Sequence, residues 1–82
     1  MSLIRNGDLA AARVVLRRAA EATSAEAALT LGKTYDPVVL RELKVHGVAP
    51  DVVMARSWYE KAKELGSPQA PQQLEILARA AR

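Results

Sequence analysis

The sequence predicts an all-α fold, an α/α solenoid of two antiparallel helix hairpins with a short inserted helix, and three observations carry that reading. Ala55, Tyr59 and Ala62 recur at i, i+4 and i+7, and Trp58 and Leu65 broaden the same face to a width that a core can use. That helix is punctuated at both ends: Asp51 is a good amino-terminal cap, and Gly66 can take the left-handed conformation that ends a helix without a Cβ penalty. The pattern also occurs twice, at an offset of 43 residues. Asp8, Ala12, Arg13, Ala19, Glu21, Ser24, Ala27 and Leu31 stand in register with Asp51, Ala55, Arg56, Ala62, Glu64, Ser67, Ala70 and Leu74. In an alanine-rich chain the alanine matches carry little weight, and the aspartate, arginine, glutamate, serine and leucine matches carry more. A period of this length is that of a two-helix unit that buries its apolar face on the next unit.

Taken in order, residues 2–6 read as a lead-in, and Gly7-Asp8 as the cap of a first helix over about 9–22. Its inner stripe is Leu9, Ala12, Leu16 and Ala19, with Val15 and Ala22 alongside, and Arg13, Arg17 and Glu21 fall on the opposite, wet side. Ser24 caps a second helix over about 25–35, which turns Ala27, Ala28, Leu31 and Tyr35 toward the first. Gly32 lies inside it at a cost of roughly 1 kcal/mol relative to alanine, which close packing between backbones would explain.

Asp36-Pro37 starts a short inserted helix, with the aspartate as cap, the proline at the first helical position and Gly47 as the stop. Val38, Val39, Leu40, Leu43 and Val45 favour burial of this insertion over its projection as a recognition element. Pro50-Asp51 opens the third main helix, ending near Leu65, and core membership is expected for both Trp58 and Tyr59. Pro71 would clash in the interior of a helix begun at Ser67-Pro68, so the last helix begins nearer Ala70. Its stripe is Leu74, Leu77 and Ala81, with Ile76 and Ala78 beside it.

Leu31, Gly32 and Tyr35, then Gly47, Val48 and Asp51, then Ala55, Trp58, Tyr59, Lys61, Ala62, Gly66 and Ala70 resemble the Sel-one-like repeat, a relative of the tetratricopeptide repeat. The pattern is Leu-Gly-x-x-Tyr, a glycine-valine turn, an Asp, Ala-x-x-Trp-Tyr-x-Lys-Ala and Gly-x-x-x-Ala. Residues 31–70 match it well and residues 8–31 weakly, and residues 36–46 interrupt the usual close spacing of the tyrosine and the glycine-valine turn. The resemblance implies a fragment of a right-handed superhelix with adaptor or scaffold activity, of the kind bacterial repeat proteins carry, and no catalytic residues. On this reading residues 1–82 are a single repeat-type domain with units at about 8–35 and 51–81 and an insertion at 36–47. An array of two units without obvious polar caps is expected to be a piece of a longer protein.

Composition narrows the function classes. A chain of 82 residues is one small domain that buries only about 60% of its unfolded surface. With Tyr35, Trp58 and Tyr59 as its aromatics, its core must come from alanine, leucine, valine and isoleucine. There is no cysteine and His46 is the one histidine, which leaves a metal site or other cofactor unsupported. No apolar run approaches the ~20 residues of a membrane span. The net charge of +3 is spread along the chain rather than gathered on one face with aromatics between, which argues against a nucleic-acid surface. No phosphate loop, nucleophile elbow or Cys-x-x-Cys is present. Glu60 and Glu64 lie one turn apart, but Lys61 and Lys63 are interleaved, so the pair reads as helix surface and the chain as a non-enzyme.

The leading expectation is therefore a scaffold that binds a protein or peptide. Its candidate partner-binding residues are Arg13, Arg17, Arg56 and Glu60, on the groove face of the first and third main helices. Three arginines and one carboxylate suit an acidic or mixed-charge segment. A terminal capping module without binding of its own and a helical nucleic-acid-associated domain are the alternatives. Partner, compartment and oligomeric state are left open by the residues.

Overall fold

A computed structural model describes residues 6–21, 24–45 and 47–80, and these form five α-helices with no strand among them. They are α1 (Asn6–Glu21), α2 (Ala25–Tyr35), α3 (Pro37–Glu42), α4 (Val52–Glu64) and α5 (Ala70–Ala80). The second helix is the centre of the packing: α1, α3 and α4 all lie against α2, and α5 lies against α4.

Local chemistry accounts for most of the boundaries. Ser24 Oγ accepts from the Ala27 N–H at 3.1 Å and opens α2. Asp36 Oδ1 accepts from the Val38 N–H at 2.8 Å ahead of Pro37, and Asp51 Oδ1 accepts from the Met54 N–H at 3.1 Å. Each of these three caps satisfies a donor that a helix start leaves free. At the far end of α4, the Gly66 N–H donates to the Lys63 carbonyl and the Ser67 N–H to the Ala62 carbonyl, with Gly66 at φ +99°. This is the Schellman arrangement, and it turns the chain toward α5. The last helix begins at Ala70, so Pro71 sits in its first turn, where a missing N–H costs nothing.

Several expectations need correction. The first helix begins at Asn6, so Gly7 and Asp8 lie within it rather than ahead of it. The inserted helix stops at Glu42 without using Gly47. Lys44 takes the left-handed conformation at φ 55°, and the Val45 N–H closes back on the Leu40 carbonyl at 3.0 Å. Burial of the insertion is partial: Leu40 is buried, Val38, Val39 and Val45 are half-buried, and Leu43 is exposed. Val15, expected beside the inner stripe of the first helix, is 67% exposed, and Ile76 and Ala78, expected beside the stripe of the last helix, are exposed as well. Expectations placed on residues 2–5, Ala22, His46 and Ala81, and on the side chains of Asp8 and Glu21, lie outside the described residues.

The core joins Ala27, Ala28 and Leu29 of α2, Ala55, Tyr59 and Ala62 of α4, and Ala70 and Leu77 of α5, with Leu16, Ala19, Trp58, Leu65 and Leu74 packed on it. Leu31 and Leu77 are essentially sequestered from solvent, and complete burial of such a side chain contributes about 1.5–3 kcal/mol. The alanines let the helices come close, and Gly32 closes the last gap. A Cβ on Gly32 would stand 2.6 Å from the Tyr59 ring and 3.2 Å from the Ala55 carbonyl. The helix propensity lost at Gly32 is thus what admits the aromatic ring of α4 against the backbone of α2.

Candidate functional site

The packing creates two polar constellations, and both involve the carboxyl end of α2. The first is a buried pair. Asp36 is fully buried, with one carboxylate oxygen bound by the Val38 N–H and the other accepting from the Tyr59 hydroxyl at 2.6 Å. Burial, the hydrogen bond to Asp36 and its negative charge, in that order, push the Tyr59 phenol far above its ordinary value. With both side chains buried, the pair ties α4 to the α2–α3 junction. Sequence reading recognised Asp36 as a cap and Tyr59 as core but did not join them, because a cap motif accounts for only one carboxylate oxygen.

The second constellation is built around Arg13. Its Nε donates to Thr34 Oγ1 at 3.1 Å, and its Nη2 donates to the Thr34 carbonyl and, at 3.4 Å, to the Ala49 carbonyl. The guanidinium lies 3.9 Å from the Tyr35 ring centroid, within cation–π range. Thr34 in turn donates its hydroxyl to the Leu31 carbonyl at 2.7 Å, the Asp36 N–H donates to the Lys33 carbonyl, and the Asp51 N–H reaches the Tyr35 carbonyl at 2.8 Å. Three of the four carbonyls that the end of α2 leaves free are thereby satisfied, and a cation sits where the helix dipole favours one.

The four residues expected to bind a partner therefore differ in availability. Arg13 faces inward and spends its donors on the protein itself, so its placement on a wet stripe is corrected. Arg17 on α1 and Arg56 and Glu60 on α4 are exposed. Glu60 borders an open cleft of about 470 Å³ with Lys63, Glu64 and Leu74, between α4 and α5. A second cleft, of about 360 Å³, lies between α3 and α5 and is lined by Lys33, Asp36, Val38, Val39, Glu42, Leu43, Gln73 and Ile76. Trp58 is half-buried against the core, and its indole N–H is buried without a hydrogen-bond acceptor. Among the described residues no helix is long and apolar enough to cross a membrane, and no group of three His, Asp or Glu side chains is placed to hold a metal ion.

The chain has no significant match to a protein-family model, a curated protein or a solved structure.

Proposed function

We propose that the chain is a non-catalytic protein-interaction module of the Sel-one-like type, in which α1 with α2 and α4 with α5 are two antiparallel hairpins of a short solenoid. The observation that carries the reading is a pair of equivalent hydrogen bonds. The Ser24 N–H donates to the Ala19 carbonyl at 3.1 Å, and 43 residues on, the Ser67 N–H donates to the Ala62 carbonyl at 2.8 Å. The sequence offset is thus accompanied by the same closing hydrogen bond between the two helices of each pair, which supports a tandem structural unit. The partner is an acidic or mixed-charge segment, and the exposed Arg17, Arg56 and Glu60 are the side chains offered to it.

A capping role within a longer array is the second reading, and the outward side of α5 favours it. In register with Leu29 and Gly32 of α2, which meet the next pair, α5 carries the exposed Gln72 and Glu75, and Glu75 is bridged to Arg79. Ile76, 37% exposed, interrupts this face, which is otherwise polar as the outer face of a terminal unit is.

The test is affinity capture with the Arg17→Glu plus Arg56→Glu variant beside wild type, with captured proteins identified by mass spectrometry. Arg13 is left intact because its loss would disturb the fold. Loss of specific partners from a variant with an unchanged melting temperature is the expected result. Unchanged recovery of every partner would remove these side chains from the site.

A further inference from the structure

We draw no further inference here: the strongest candidate, the open cleft between α3 and α5 lined by Lys33, Glu42 and the exposed Leu43 and Ile76, carries charges of both signs that select no occupant, and nothing in the structure shows what covers it.

Discussion

The two helix pairs, α1 with α2 and α4 with α5, share a frame and differ in what fills it. Ala12 and Ala55, then Ala27 and Ala70, are buried at matching positions, and Ser24 and Ser67 make the same backbone bond across the two junctions. Between these fixed points the residues diverge. Tyr59 fills the position that Leu16 holds in α1, Leu31 is fully buried where Leu74 is half-buried, and Arg13 is bound internally where Arg56 is exposed. The small residues and the junction set how two helices meet, whereas the larger side chains decide which helix stands at the centre of the molecule. Central placement falls to α2 because Gly32 admits Tyr59 on one flank while Thr34 and Tyr35 receive Arg13 on the other.

The largest contrast is expected at the alanines of α1 and α4. Ala62 is fully buried, and Ala19 is only half-buried against the same core. Ala62→Asp places an unpaired carboxylate in a close helix interface and costs several kcal/mol, against a total stability of about 5 kcal/mol for so small a domain. Circular dichroism is expected to find Ala62→Asp unfolded at room temperature and Ala19→Asp folded with a lowered melting temperature. Equal behaviour of the two variants would remove the distinction between a central and an edge pair.

A smaller effect belongs to Tyr59, whose counterpart Leu16 has no hydroxyl. Tyr59→Phe leaves the buried Asp36 carboxylate with one donor fewer and is expected to destabilise by about 1–3 kcal/mol. The phenol is held well above its ordinary value in the folded state. Its contribution is therefore complete below the unfolded value of about 10 and is lost as pH rises beyond it. Urea titrations from neutral pH to about pH 11 are expected to give wild type an additional loss approaching ~1.4 kcal/mol per pH unit above 10, which Tyr59→Phe lacks. Parallel pH profiles for the two proteins would show that the hydroxyl is not bonded to the carboxylate in solution.

Helix starts were legible where one short-range device decides them: Ser24, Asp36-Pro37 and Asp51 each act on a donor two or three residues away. The alanine frame and the role of Gly32 were legible for a similar reason, because small residues at helical spacing have few other uses. The polar constellations were not. Asp36 meets Tyr59 across 23 positions of sequence and Arg13 meets Thr34 across 21, and no local pattern encodes such pairings. Val15 was misplaced because a residue at the margin of a 3.6-residue stripe is buried or exposed according to which neighbour arrives. Lys44 was overlooked because glycine is the usual occupant of the left-handed position, and Gly47 stood close by. The candidate site suffered most, since Arg13 and Arg17 share a helical stripe in sequence and part company only when α2 is in place.

That separation yields the finest test of the comparison. Arg13 and Arg56 occupy matching positions, yet one closes the carboxyl end of α2 and the other points into water. Arg13→Ala removes hydrogen bonds to Thr34 and Ala49 and the contact with Tyr35, and about 1–2 kcal/mol is expected to be lost. Arg56→Ala is expected to stay within about 0.5 kcal/mol, as surface substitutions do. Arg13→Lys discriminates further: a point charge retains the attraction to the helix end but cannot bond Thr34 through a planar fork while stacking on Tyr35, so only part of the loss should be recovered. Thermal melts of the three variants measure the order. If Arg13→Ala proved as mild as Arg56→Ala, Arg13 would be free in solution and would rejoin Arg17 and Arg56 as a side chain available to a partner.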